Sequence, residues 1–365
     1  MTPDETLSDL GERRLVAEVL APRYRYQPGF GDDCAPVPPP AAADFELVAT
    51  TDPCPAPLVS SLGWDDLYHR GWLLATINLS DLAAAGAEPL GLMVSYVLPG
   101  DLPVARFERL VSGVDDCCSA HGTRVLGGNS GDGAAIHLTA TAIGWCPAGR
   151  RLSRRGARFG DALLLVGSPG YLWSTALLRH GRASLPEPAA TAVADRALHP
   201  RAQIAAARAL AGEGLVHAAV DVSDGLYASV VSLCETNGLG ARLDPDVRLD
   251  PAVAEVCRQA AVDPFELAQL WGDWTLLVAV APAAAGRVRE VAARLGSEAH
   301  RLGVMTEAPA IVVAGPGGDT PWVGADAERF TASSWHTDRV GAYLSRLAGR
   351  APSDGAGGAP VIGGR

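Results

Sequence analysis

Apolar and polar positions repeat along the chain in two periods, and the switches between them divide it into strands and helices. Residues 46–51 read as a short strand that ends at Asp52, and residues 64–86 carry the 3.6-residue spacing of a buried helix. Residues 90–98 read as a second strand. Residues 104–121 form an amphipathic pattern that should stop at Gly122 in a left-handed cap. Strands at 124–126 and 135–145 follow, separated by a glycine-rich turn from Gly127 to Gly133. This β-α-β-α-β-β order predicts a compact first domain. Residues 147–161, rich in glycine and arginine, read as a joint. Beyond it lies a second α/β set, with strands at 162–167, 217–222 and 275–281 and helices that include 202–211, 227–236 and 284–295. The expected domains are therefore residues 1–148 and 149–345, followed by a glycine-rich tail over 346–365 that is expected to be disordered.

Length agrees with two domains, since 365 residues exceed one ordinary core. No charge-free apolar run approaches the roughly 20 residues of a membrane-spanning helix. The acidic first residues show no secretory signal, so a cytoplasmic protein that does not engage membranes is expected. The seven cysteines form no CxxC pair and read as reduced, mostly buried thiols. A net charge of −11 argues against a nucleic-acid partner, which needs a basic footprint. It leaves two sources for the acids, a solvated surface or a site that collects divalent cations.

The positions of the aspartates separate these. Gly31-Asp32-Asp33, Thr50-Thr51-Asp52, Asn78-Leu79-Ser80-Asp81, Gly127-Gly128-Asn129-Ser130 and Asp221-Val222-Ser223-Asp224-Gly225 place oxygen donors just past apolar strands or inside an apolar helix. Each alone has an ordinary explanation: Asp224 as a helix cap, Gly31-Asp32-Asp33 as a turn, Asp52 as a strand end. Asp81 fits such explanations worst, because an unpaired charge inside an apolar helix costs several kcal/mol. Asn78, one turn earlier, could present its oxygen to the same ligand. No lysine or arginine cluster adjoins these acids in sequence, which leaves divalent cations as the counter-charge. Hard oxygen donors suit Mg2+, and several such ions suit a polyphosphate such as ATP.

Taken in order, these motifs resemble those of the thiamine-monophosphate kinase family, within the superfamily of aminoimidazole ribonucleotide synthetase and selenophosphate synthetase. The resemblance spans residues 11–339. It implies an α/β (α+β) two-domain fold like that of aminoimidazole ribonucleotide synthetase, with an N-terminal mixed sheet and helices that carry the ATP and Mg2+ sites and the homodimer interface, and a C-terminal α/β domain. It also implies site roles. Asp33, Thr50, Thr51, Asp52, Asp81 and Asp221 fall on the family's magnesium positions, Asp224 on another metal position, Ser223 and Gly128 on nucleotide contacts, and Arg154 on an ATP-binding arginine. Of these, Asp33, Asp52, Asp81 and Asp221 are the expected catalytic set. Where the family has Gly-Gly-Asp-Thr, this chain has Gly127-Gly128-Asn129-Ser130, so Asn129 keeps a metal-facing oxygen without the charge.

Larger departures concern the acceptor. The family's Gly-Gly-Glu-Asp-Tyr-Glu-Leu, whose first glutamate touches thiamine phosphate, is Leu270-Trp271-Gly272-Asp273-Trp274-Thr275-Leu276 at the matching positions, so Gly272 replaces that glutamate. The acceptor-site histidine falls on Val59. Gly272, Asp273, Trp274, Val59 and Trp335 are the expected substrate residues, with the tryptophans offering faces for a planar ring. Loss of two polar contacts weakens a site built on polar recognition. The sequence therefore predicts an ATP- and Mg2+-dependent phosphotransferase with a small-molecule acceptor other than thiamine monophosphate, in a specialised biosynthetic pathway. Three alternatives stand beside it: an authentic thiamine-monophosphate kinase, an enzyme that activates an amide or carbonyl oxygen before cyclisation, dehydration or amide formation, and a non-catalytic nucleotide-binding paralogue.

Overall fold

In the computed structural model, residues 32–37 and 44–322 are described, together with positions 17, 18, 340, 344 and 347. The tail over 346–365, Trp335 and Gly31 therefore lie outside the described residues, apart from position 347.

The first sheet has five strands in the order β1-β2-β5-β3-β4. They are Ala35–Val37 (β1), Phe45–Cys54 (β2), Glu88–Leu98 (β3), Val125–Asp132 (β4) and His137–Pro147 (β5). The β3–β4 pair is parallel and the others antiparallel, so the sheet is mixed. Helices Leu67–Ala84 and Val104–Ala120 belong to this half. The first is buried along nearly its whole length between the sheet and the second half of the molecule. Asp66 caps its start, accepting from the Tyr68 N–H, so it begins later than the pattern from residue 64 suggests. The second helix ends as expected, with Gly122 in the left-handed region at φ +70°. Where the two helices cross, a Cβ on Gly71 would overlap the Leu110 carbonyl and one on Gly113 would overlap the Tyr68 carbonyl. These two glycines let the backbones meet, which fixes the depth of the aspartate-bearing helix.

One expectation fails here. The glycine-rich stretch is not a turn between strands: β4 runs through it, parallel to β3, with Gly128 opposite Val94 and Asn129 opposite Ser95. Glycine density reads as a turn when only local chemistry is considered. On this outer strand, glycine is required because a Cβ on Gly128 would overlap the Val94 backbone.

The second sheet has seven strands in the order β12-β11-β8-β10-β6-β9-β7. They are Ala162–Val166 (β6), Val216–Val222 (β7), Gly240–Leu243 (β8), Thr275–Val280 (β9), Ala299–Thr306 (β10), Ile311–Val313 (β11) and Thr320–Pro321 (β12). The expected strands are β6, β7 and β9, and the expected helices appear as Ile204–Glu213, Leu226–Asn237 and Ala285–Arg294. The pattern did not predict β8, β10 to β12, or helices Tyr171–Arg179, Glu187–Leu198, Pro251–Ala260 and Pro264–Ala268. Strands β6 and β9 are buried throughout, and β7 over its last five residues, which places Asp221 inside the protein rather than at its rim. The joint segment is held between the halves: Leu152 N–H donates to the Ala85 carbonyl, and Ser153 carbonyl accepts from Ala219 on β7. No helix among the described residues is long and apolar enough to cross a membrane. All seven cysteines are free and buried.

Candidate active site

Three elements from distant parts of the sequence deliver three carboxylates to one place. Asp33 precedes β1, Asp81 sits on the Leu67–Ala84 helix, and Asp221 lies near the end of β7. One oxygen from each can be chosen so that all lie within 4.8 Å of one another. Asp81 Oδ2 accepts from the Thr50 hydroxyl at 2.6 Å, and Asp221 Oδ2 accepts from the Ser80 hydroxyl at 3.0 Å. Ser223 donates more weakly to Asp221 Oδ1, at 3.4 Å. Burial, then the charges of Asp221, Asp52 and Asp33, push the Asp81 carboxyl well above the usual carboxylate range. Burial and Asp33 do the same to Asp221, against the opposing pull of Arg154 and Ser80.

No basic cluster adjoins these acids in sequence, but the joint brings two arginines to them in space. Arg154 grips Asp33 through two bonds, Nε to Oδ2 at 3.0 Å and Nη2 to Oδ1 at 2.8 Å. Arg151 pairs with Asp32 at 3.0 Å, and the same Asp32 accepts from the Ser153 hydroxyl and the Arg154 N–H. Asp33 raises the Arg154 pKa further above its ordinary value. A separation of 121 residues hides this pairing from any reading of adjacent sequence.

The remaining expected residues divide. Thr50 and Asp52 alternate with Thr51 along β2, so Thr51 faces away: its hydroxyl donates to the Ala140 carbonyl and accepts from Thr141. Asn78 does not offer its oxygen to the site, because Oδ1 accepts from the Asp52 N–H while Nδ2 donates to the Leu74 carbonyl. It ties the end of β2 to the helix. Ser223 and Asp224 sit between β7 and the next helix, whose cap is Gly225, so Asp224 does not cap it. Gly128 and Asn129 lie exposed on β4, and among the described residues no hydrogen bond joins Asn129 to the three acids. Sequence reading includes Ser80 and Asp32 in its motifs but gives them no role of their own, and it does not single out Arg151. Ser80 could have been found, since a second polar residue in an apolar helix raises the same burial question as Asp81.

Of the expected acceptor residues, Val59, Gly272 and Trp274 meet in a separate recess, lined also by His69, Leu73, Leu172 and Trp271 among others, while Asp273 does not line it. Gly272 is more than a missing glutamate. Its φ is +113°, and a Cβ there would overlap Leu172. Asp273 is committed to structure: Oδ2 accepts from the Gly170 N–H at 2.6 Å and Oδ1 from Leu172 at 3.2 Å, which holds the start of helix Tyr171–Arg179. Burial pushes its pKa up to about 6 despite those donors. Trp271 packs edge-on against Trp173, with centroids 5.4 Å apart, and Trp274 is 8% exposed at φ +45°. Both indoles are core residues that also wall the recess.

Comparison with known proteins agrees with this architecture. The family descriptions "AIR synthase related protein, N-terminal domain" and "AIR synthase related protein, C-terminal domain" match residues 31–146 and 158–315. The thiamine-monophosphate kinase of Synechococcus elongatus is 30% identical over 317 residues, covering 84% of this chain and 92% of the relative. That of Caulobacter vibrioides is 30% identical over 302 residues, covering 80% and 83%. Among solved structures, AaThiL complexed with AMPPCP and TMP superposes with a TM-score of 0.75 at 24% identity, covering 90% of this chain and all of that one. The thiamine monophosphate kinase of Aquifex aeolicus gives 0.70 at 23% identity, covering 87% of this chain and all of that one. The chain belongs to the thiamine-monophosphate kinase family of AIR synthase-related proteins, and with it to the ATP-dependent kinases.

Proposed function

We propose that this chain transfers the γ-phosphoryl group of ATP to thiamine monophosphate in a Mg2+-dependent reaction. The carrying observation is the convergence of Asp33, Asp81 and Asp221 on one point, where among the described residues one arginine, Arg154, makes a bidentate contact and makes it to Asp33 alone. Like charges so placed and buried are poorly compensated, and an all-oxygen donor set suits Mg2+. Asp33, Asp81 and Asp221 would hold the ion, with Thr50 and Asp52 beside Asp81, and Asp224 three residues past Asp221, to extend the set. When bound, Mg2+ neutralises phosphate charge as the phosphoryl group moves.

The chain's own groups do the rest. Arg154 and Ser223 bind and orient the triphosphate, and the exposed β4 backbone at Gly128 adds a contact to it. A phosphate oxygen of the acceptor attacks the γ-phosphorus in line as the bond to ADP breaks. Such transfer needs positioning and charge stabilisation, without a covalent protein nucleophile.

The relatives favour thiamine monophosphate over the different acceptor expected from the sequence. A second reading, phosphorylation of another small molecule, rests on the recess, where Val59 and Gly272 supply no polar group. A coupled assay with ATP, Mg2+ and thiamine monophosphate should give steady turnover of about 0.1–10 per second, in or below the ordinary enzyme range. ATP consumption only with other acceptors would favour the second reading. Release of the phosphate from the product would instead indicate transient oxygen activation, and no ATP consumption with any acceptor a non-catalytic paralogue.

We propose a homodimer through the first sheet, whose outer face leaves Phe45, Leu90, Met93 and Leu126 each at least 40% exposed. Light scattering should report twice the chain mass for the wild type and the single chain mass for Met93→Glu. A monomeric wild type at micromolar concentration would exclude the dimer.

A further inference from the structure

The recess that holds Val59 and Gly272 has lost two family contacts, but it is not devoid of polar atoms. His69 lines it from the first turns of the Leu67–Ala84 helix, and its Nδ1 is buried without a hydrogen-bond partner among the described residues. Trp274 lines it too, and its Nε1 is buried in the same condition among the described residues. Two orphaned polar atoms on one recess are costly in a folded protein unless something binds there.

Position relative to the acid cluster gives the recess its orientation. Trp274 immediately precedes β9, which pairs with β7 at Thr275–Val222 and Leu276–Asp221, so one end of the recess adjoins the strand carrying Asp221. His69 lies twelve residues before Asp81 on one helix, about 18 Å along its axis. An elongated acceptor with its phosphate at the acids and a planar ring toward His69 would span that distance. Leu58, His69 and Leu198 are the half-buried lining residues and form its mouth. Its free volume is about 30 Å³, so a ring is admitted only as side chains at that mouth move outward.

We infer that His69 is a specificity-determining residue that hydrogen-bonds the heteroaromatic ring of the acceptor, taking over the polar recognition lost at Val59 and Gly272. This rests on the reading of the recess as the acceptor site. Trp274 Nε1–H can only donate, so the ring must offer an acceptor atom to it. His69 pairs with a donor or an acceptor according to its tautomer. An aminopyrimidine, which carries ring nitrogens and an exocyclic amino group, satisfies both.

The test uses the full-length protein, with thiamine monophosphate as probe, in three forms: wild type, His69→Ala, and His69→Asn, whose amide can occupy the place of Nδ1. Acceptor KM and kcat are measured by coupled assay, and acceptor Kd by calorimetry with Mg2+ and a non-hydrolysable ATP analogue. His69→Ala should raise the acceptor KM and Kd about tenfold, leave kcat and the ATP KM within about twofold, and be largely rescued in His69→Asn. If the wild type turns over the probe while His69→Ala leaves its KM and Kd unchanged, or while both variants lose kcat and melting temperature together, the inference fails and the kinase reading stands. If the wild type neither binds nor phosphorylates the probe, both fall.

Discussion

Replacing Asp81 by asparagine should lower turnover about a thousandfold and abolish Mg2+-dependent nucleotide binding, while making the ligand-free protein more stable. The first effect matches the several kcal/mol of charge stabilisation that a phosphate-bound metal contributes. The second follows from the sign of the pKa shift. Asp81 and Asp221 bind protons more tightly in the folded chain than in the unfolded one, because burial and neighbouring acids penalise their ionised forms. Their contribution is fully favourable below the ordinary carboxylate value of 3.8 and is lost as pH rises through the raised folded values. Asparagine keeps the shape, can still accept from the Thr50 hydroxyl, and carries no charge. Denaturant titrations across pH should therefore show the variant gaining on the wild type as pH rises. A variant that is destabilised at neutral pH and still binds ATP with Mg2+ would sink the metal assignment.

Arg154→Ala should have the other large effect. Asp33 is 4% exposed and loses its bidentate partner, while Arg154 itself is 27% exposed, so the cost is about 2–3 kcal/mol, below that of breaking a fully buried pair. The ATP KM should rise by about tenfold or more as a phosphate contact disappears. Mg2+ should then raise the melting temperature of the variant more than that of the wild type, because the ion supplies the missing positive charge. Equal Mg2+ effects in the two proteins would mean that the arginine and the ion do not share Asp33.

How far the sequence reveals this site depends on how local each signal is. Asp81 stands out because one charge interrupts a helix that is otherwise apolar, and the burial cost it announces is met by Thr50 in the structure. The helix itself is legible because its apolar positions persist over many turns. Pairings across the chain are not: Arg154 with Asp33 and Ser80 with Asp221 join residues 121 and 141 positions apart. Asn78 shows a subtler limit, since its place on the helix face was read correctly but its oxygen is spent on the Asp52 N–H. Strand β4 was hidden by glycines that serve close packing instead of a turn. Short strands such as Ile311–Val313 fall below the length at which alternation can be recognised. At the acceptor recess, substitution of Glu by Gly reads in sequence as simple loss. The structure shows Leu172 occupying the space and Asp273 holding Leu172 in place, so restoring glutamate at 272 alone would clash.

The most direct test of the account is a crystal structure with a non-hydrolysable ATP analogue and Mn2+, read by anomalous scattering. It should place at least one manganese peak within about 2.0–2.4 Å of oxygens from Asp33, Asp81 and Asp221, bridging them to the nucleotide's phosphates. Phosphates bound elsewhere, with the three carboxylates free of metal and Arg154 still closed on Asp33, would contradict it.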